Sequence, residues 1–318
     1  MDNYKMALRK NILIIVIALL ICILVPSVIT LSVTGIIEAD ISDELIDGRR
    51  IDVKYRHAVK SVDINKFIVM VLADRLDMSS QIEVLKAESI MVRTDIYRIM
   101  GNDMNIDSSQ LGMSFLTENQ MKNNWGSKYN DNYNLISDCV AATGGIIMMY
   151  NGSPIDARYT EVSCGTTLAG SQVLGAGYDY LTEVDCPDDM HSPDYISVVS
   201  FSYKEFVKKM SEKYKDIGIN ETAPFKSIQI AAKSQSGYVT KIQVGNVVMT
   251  GAEFAYILGI NSANMTIEDI NGSIKITTKG KGSNIGLSMY TAGIMAETGN
   301  TYETILNKFY CGVTLVSS

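Results

Sequence analysis

Histidine, proline and tryptophan are scarce in this chain of 318 residues, and no stretch concentrates positive charge. The two histidines are His57 and His191, and no His-x-x-x-His or Cys-x-x-Cys spacing occurs. The common zinc signatures are therefore absent, and few nucleophile–imidazole pairs are available. His191 lies in an Asp-Asp-Met-His-Ser-Pro segment and reads as an exposed loop residue. Lys and Arg number 28 against 35 Asp and Glu, a net charge of −7. Without a basic surface to displace counterions from phosphates, nucleic acid is excluded as a partner. The loop Gly280–Gly286 precedes a helical stretch but lacks the P-loop Lys-Ser/Thr and the dinucleotide spacing, so no cofactor is expected. At 47% hydrophobic and 20% charged residues, long disorder is excluded too.

One long apolar run is present. Asn11 to Val33 carries no charged residue, and at about 1.5 Å per residue it can cross roughly 30 Å of hydrocarbon. Lys5, Arg9 and Lys10 precede it; Glu38, Asp40, Asp43 and Glu44 follow. The positive-inside rule then puts the N-terminus in the cytoplasm and the rest outside the cell membrane. A cleaved signal peptide competes with this reading, given the small residues Ser32-Val33-Thr34-Gly35. The run is longer than a usual signal core and no Ala-x-Ala site stands out. The expected organisation is a cytoplasmic stub (1–10), a single-pass anchor (11–33), a polar linker (34–50) and an extracytoplasmic domain (51–318). Cys139, Cys164, Cys186 and Cys311 would lie outside, where disulfides are permitted. A Cys164–Cys186 bridge is the most natural pairing, and buried free thiols are the alternative.

Ile51–Tyr55 alternates like a strand. Asp63 reads as the N-cap of a helix through Leu76, with Phe67, Ile68, Val71 and Leu72 at helical spacing. Ser79-Ser80 breaks it, and Gln81–Met100 forms a second helix, so the two make an angled corner. Residues 101–150 are polar until the run at Cys139–Tyr150, which reads as a helix end, a glycine turn and a strand. Asn151-Gly152 then turns into a second strand over Ile155–Tyr159. Residues 160–195 read as loop, and Phe201–Tyr214 as an amphipathic helix. A small antiparallel meander follows at 227–231, 238–244 and 247–249, with Thr250 capping a helix over Gly251–Leu258. A strand at Ile274–Thr278, helices at Leu287–Thr298 and Tyr302–Phe309 and a strand at Gly312–Val316 complete the chain. Short strands and helices without regular βα alternation indicate a mixed α+β fold with small antiparallel sheets.

Several quoted runs together carry a resemblance. Phe67–Thr94 aligns without a gap to a motif that reads Glu-Met-Pro, Glu-Ala-Leu-Lys-Ala-Gln and Ala-Arg-Thr-Tyr. Ser163-Cys164-Gly165, Tyr180–Asp185 and Gly280–Ala292 continue the match, the last resembling Gly-His-Gly-Val-Gly-Met-Ser-Gln-Tyr-Gly-Ala. This part of the chain resembles the stage II sporulation protein D family, which includes the amidase-enhancer proteins. The resemblance implies work on peptidoglycan. Sporulation members are lytic transglycosylases that cut glycan strands beside a partner amidase and sporulation membrane proteins. Their proposed acid/base is the Glu of Glu-Met-Pro. Glycosidic cleavage needs such a carboxyl to protonate the leaving oxygen.

The departures from the pattern decide the expectation. The position of that Glu is Arg75, whose guanidinium does not release its proton at any useful pH. The motif proline is Asp77, and Glu88 stands at its Gln. In the glycine loop the family His is Ser283 or Asn284, with spacing to Gly286 favouring Ser283; the Gln before Tyr290 is Met289. Some members bind zinc through His and Cys of the middle loop, but Thr160 stands at the His position, so no metal is expected. The expectation is a sporulation protein bound to the envelope that holds peptidoglycan glycan strands, with a degenerate site and without catalysis. The alternative is an active lytic transglycosylase using a relocated carboxylate: Asp77, Asp74 or Glu88. Glu83, Lys86, Arg93, Ser163, Cys164, Gly165, Gly282, Ser283, Gly286, Ser288 and Tyr290 are the candidate glycan contacts. Each has a bland reading as a helix-surface ion pair or a turn residue.

Overall fold

The computed structural model describes residues 48–55 and 58–317. The stub and anchor, and the linker up to residue 47, lie outside the described residues. Among the described residues no helix is long and apolar enough to cross a membrane.

The fold is mixed α+β, with helices set among small sheets. Arg50–Tyr55 pairs antiparallel with Ala58–Asp63, a strand absent from the sequence reading, and parallel with Asn105–Asp107. Asp63 ends that hairpin and caps the first corner helix, Ile64–Arg75, by accepting a bond from the Asn65 N–H at 2.8 Å. The helix is buried almost all round: Phe67, Ile68, Leu72 and their neighbours are essentially inaccessible. Full burial of one such side chain contributes about 1.5–3 kcal/mol. The second corner helix, Ile82–Met100, is buried on both flanks. Leu85, Val92 and Ile96 pack into the core of the first helix. Val84, Ile90 and Met91 pack into a second core with Leu287, Ile305 and Phe309. This helix is thus the wall shared by two cores.

The polar middle segment holds the helix Glu118–Trp125, which the sequence reading missed, and the helix Tyr129–Ala142, of which it read only the end. Their apolar stripes are thin, but Thr117 and Gln120 form a reciprocal capping box. That spacing was the available signal. The Asn151-Gly152 turn is present, with φ of 50° and 78°, but its second strand is only Ser153–Pro154. Tyr159–Thr160 instead pairs parallel with Leu287–Ser288, more than a hundred residues away.

A third core belongs to residues 196–279. Ile196–Ser202 is a strand, so the helix expected from Phe201 starts only at Tyr203 and ends at Lys213. Ser202 and Glu205 supply its capping box. The strand lies beside Ser273–Lys279, itself paired with Met265–Ile270, and this partnership at distant sequence positions overrides the local helical pattern. The meander appears as Ile228–Lys233, Val239–Val244 and Val247–Met249, and Thr250 caps the helix Gly251–Leu258.

Candidate functional site

The corner between the two helices forms one wall of a groove of about 1340 Å³. The other walls come from residues 111–114, 156–162 and 192–194, from Gly282-Ser283, and from the start of the helix Met289–Glu297. Arg75 is the last residue of the first corner helix. Its Nη1 lies 2.7 Å from Glu88 Oε2, and its guanidinium stacks 4.5 Å from the Tyr159 ring centroid. The Arg75 side chain is 16% exposed and that of Glu88 is fully buried. Burial opposes the guanidinium charge, but Glu88 and then Tyr159 outweigh it and raise Arg75 above its ordinary value. Arg75 is a fixed cation. Glu88 Oε1 is buried without a hydrogen-bond partner among the described residues, so the ion pair is its main compensation.

The turn after Arg75 is held by Asp77, whose Oδ1 accepts the Ser79 N–H at 3.0 Å and whose carbonyl accepts that of Ser80. Across the groove, the middle and glycine loops are stitched by reciprocal main-chain bonds between Val162 and Lys281. Gly286 has φ +78°, and a Cβ there would run into the Arg158 carbonyl, so the close approach requires glycine. Asn284, at φ +61°, turns inward. Its Oδ1 accepts the Cys164 N–H at 2.9 Å, and its Nδ2 donates to the Thr166 carbonyl at 3.0 Å. Ser283 instead faces the groove and donates to the Tyr159 carbonyl at 3.2 Å.

Beneath the loops sits Asp189, fully buried. It accepts bonds from the Ser163 N–H at 2.6 Å, from Ser288 Oγ at 2.7 and 2.9 Å, and from Thr291 Oγ1 at 2.7 Å. This hub fixes the start of the Met289–Glu297 helix and so presents Met289 and Tyr290 to the groove. Sequence reasoning missed it because Pro-Asp-Asp reads as a solvated loop.

The candidate residues therefore separate. Asp74, Arg75, Asp77, Gly282, Ser283 and Tyr290 line the groove. Glu88 sits behind Arg75. Glu83 accepts the Tyr302 N–H at 2.8 Å and the Lys86 ammonium at 2.7 Å, joining two helices away from the groove. Arg93, 1% exposed, donates to the carbonyls of Val140, Thr143 and Ile146 and to Asn65 Oδ1. It satisfies the open end of the Tyr129–Ala142 helix and contacts no groove space. Ser163, Cys164, Gly165, Gly286 and Ser288 build the loops from within; none lines the groove. The Cys164–Cys186 pairing is corrected: all four described cysteines are free thiols. Asn284 Nδ2 donates to Cys164 Sγ, while Cys186 Sγ faces the Val184 carbonyl. Burial, then the charge of Asp189, pushes the Cys186 thiol up to about 11. The zinc site of some family members does not fit here. The Thr160 hydroxyl is committed to the Lys281 carbonyl and the Asn284 N–H, and no metal-holding cluster of three ligands occurs among the described residues.

Asp95 was not anticipated. It follows Arg93-Thr94, where the quoted motif has Tyr, and it lines the groove with its side chain 16% exposed. Oδ1 accepts the Ala157 N–H at 3.1 Å and faces Arg98 Nη2 at 3.4 Å. Arg98 also reaches Asp156 at 3.7 Å, and Arg158 pairs with Asp156 at 2.8 Å. Burial raises the Asp95 carboxyl above its ordinary value, against the lowering by the Ala157 N–H and Arg98.

Fold and groove together define an α+β domain in which a two-helix corner faces a glycine-loop wall. The family model described as "Stage II sporulation protein" matches residues 53–150. A stage II sporulation protein D of Bacillus amyloliquefaciens is 30% identical over 267 residues, covering 81% of this chain and 76% of that protein. The protein of the same description from Bacillus subtilis (strain 168) is 26% identical over 266 residues, with the same shares covered. The amidase enhancer of Bacillus subtilis (strain 168) is 24% identical over 294 residues, 78% of this chain and 40% of that protein. The chain belongs to the stage II sporulation protein D family.

Proposed function

We propose that this is a cell-envelope protein of sporulation, anchored in the membrane through residues 11–33 with its N-terminus cytoplasmic. Its extracytoplasmic domain binds peptidoglycan glycan strands in the groove without cleaving them. The carrying observation is Arg75: at the position of the family's proton-shuttling carboxylate stands a guanidinium, ion-paired to a fully buried Glu88 at 2.7 Å. A general acid must lose and regain a proton during each turnover, and this pair offers no such group. The groove keeps what a sugar chain needs. Leu76, Met113, Tyr159 and Tyr290 supply partly apolar faces among hydroxyls and carboxylates. The descriptions of the relatives support the sporulation setting, and the amidase enhancer supports a cell-wall amidase as partner. The test is co-sedimentation of the full chain, in detergent, with purified sacculi, followed by muropeptide analysis. Binding without new 1,6-anhydro ends is expected; anhydro products would overturn the non-cleaving part.

A second reading, lytic transglycosylation by a relocated carboxylate, is favoured by Asp95. Of the earlier candidates, Glu88 is shut behind Arg75, Asp77 holds the turn, and Asp74 is exposed. Asp95 lines the groove, and burial raises its carboxyl, as a proton donor needs. Should anhydro ends form, their loss in Asp95→Asn would establish this reading.

A further inference from the structure

The strand Ile196–Ser202 lies at the edge of its sheet. Ser273–Lys279 pairs with one side of it, and no strand among the described residues pairs with the other. Just before the strand, the Gly280 N–H donates to the Tyr195 carbonyl at 2.7 Å. Opposed residues in an antiparallel ladder alternate between bonded and unbonded pairs. Ser197, Val199 and Phe201 therefore bond inward, while Ile196, Val198, Ser200 and Ser202 aim their main-chain groups outward. The Ser202 N–H is taken by Glu205 Oε2 at 2.9 Å. Those of Ile196, Val198 and Ser200 meet no partner among the described residues. Their side chains share the uncovered face of the sheet, with Ile196 58% and Val198 54% exposed. Edge strands are ordinarily guarded by charge, proline or a bulge. This one, Ile-Ser-Val-Val-Ser-Phe-Ser in unbroken register, has none of the three.

We propose that this edge pairs antiparallel with the same strand of a second copy, about a two-fold axis at Val198. With Val198 opposite Val198, Ile196 of each copy stands opposite Ser200 of the other. Every such pair joins residues whose main-chain groups point outward, so each exchanges both of its bonds. An axis at Val199 would instead set Ile196 against Ser202, whose N–H already belongs to the helix cap. The register at Val198 leaves that cap alone. Charge favours the same arrangement. An exposed Asp194 precedes the strand and an exposed Lys204 follows it, while Glu205 is engaged by Ser202. Antiparallel pairing brings the acidic end of each copy to the basic end of the other; parallel pairing would join like ends. The closed two-fold also removes both open edges, merging the two sheets into one. Asp194 lines the groove as well, so the partner copy reaches the groove margin. Two grooves on one sheet can grip a strand at two points. The pairing itself does not rest on the glycan-binding reading.

The experiment uses the full chain in detergent. Val198→Cys puts a thiol on the axis, where mild oxidation should link two copies. Val248→Cys, at a position 51% exposed on a different sheet, is the control, and the parent gives the background from Cys311. Sedimentation over a concentration series should show the parent passing from monomer to dimer. Val198→Lys sets two ammonium groups face to face and should hold the chain as monomer. Val198→Pro should do the same, because it removes an outward N–H and leaves the ladder to Ser273–Lys279 intact. Thermal unfolding of both variants at low concentration reports whether the sheet is kept. A parent that stays monomeric throughout the series overturns the proposal. So does a dimer that survives both substitutions, since its contact lies elsewhere. Linking at Val248→Cys as strong as at Val198→Cys overturns it too.

Discussion

The second corner helix holds polar groups on two sides and satisfies them in two different ways. On the core side, Arg93 donates to three main-chain carbonyls, and Thr94 donates to the Ile90 carbonyl while accepting the Met148 N–H. On the groove side, Glu88 and Asp95 draw on Arg75 and Arg98. Main-chain partners are fixed by the fold whatever the side chains are. Side-chain partners change identity when either position changes. The core side therefore constrains the architecture, while each groove-side ion pair depends on the identity of both of its side chains.

That contrast can be broken most severely at Arg93. Arg93→Met leaves several buried carbonyls without a donor and should cost roughly 4 kcal/mol in denaturant unfolding. A loss near zero would mean that those carbonyls find other partners. On the groove side, Arg75→Met strands the Glu88 charge and should cost roughly 3 kcal/mol, whereas Arg75→Met/Glu88→Leu should return to within about 1 kcal/mol of the parent. Such recovery, read from a double-mutant cycle, separates an exchangeable pair from a structural anchor like Arg93. Thr94→Val removes the acceptor for the Met148 N–H and should cost about 1–2 kcal/mol.

The smallest effect concerns pH. Because the folded carboxyl of Asp95 is raised, its contribution to stability is whole below the ordinary value of 3.8 and is lost as pH rises through the folded value. Asp95→Asn stays neutral, so its unfolding midpoint should gain on the parent's as pH climbs above about 4. Parallel midpoints across that range would mean that Asp95 is not raised.

Much of the helix corner could be read in the sequence because burial at positions such as Phe67, Leu72 and Leu85 imposes helical spacing. The Asp63 cap and the Thr250 cap are local contacts and were equally readable. The Ile196–Ser202 strand was not, since its partner lies more than seventy residues on. Of the site, six expected residues line the groove, and Arg93, Glu83 and Lys86 lie away from it. Motif membership does not distinguish a residue that touches ligand from one that holds the wall.

By itself the sequence determined the α+β class, the corner and the presence of arginine at position 75, because periodicity, caps and register are local properties of the chain. Only the tertiary structure decided that Glu88 neutralises that arginine, that Asp189 anchors the loop wall from 99 residues before Ser288, and that Asp95 stands in the groove. Those outcomes depend on which side chains meet across distant segments, and no spacing along the chain encodes such a meeting.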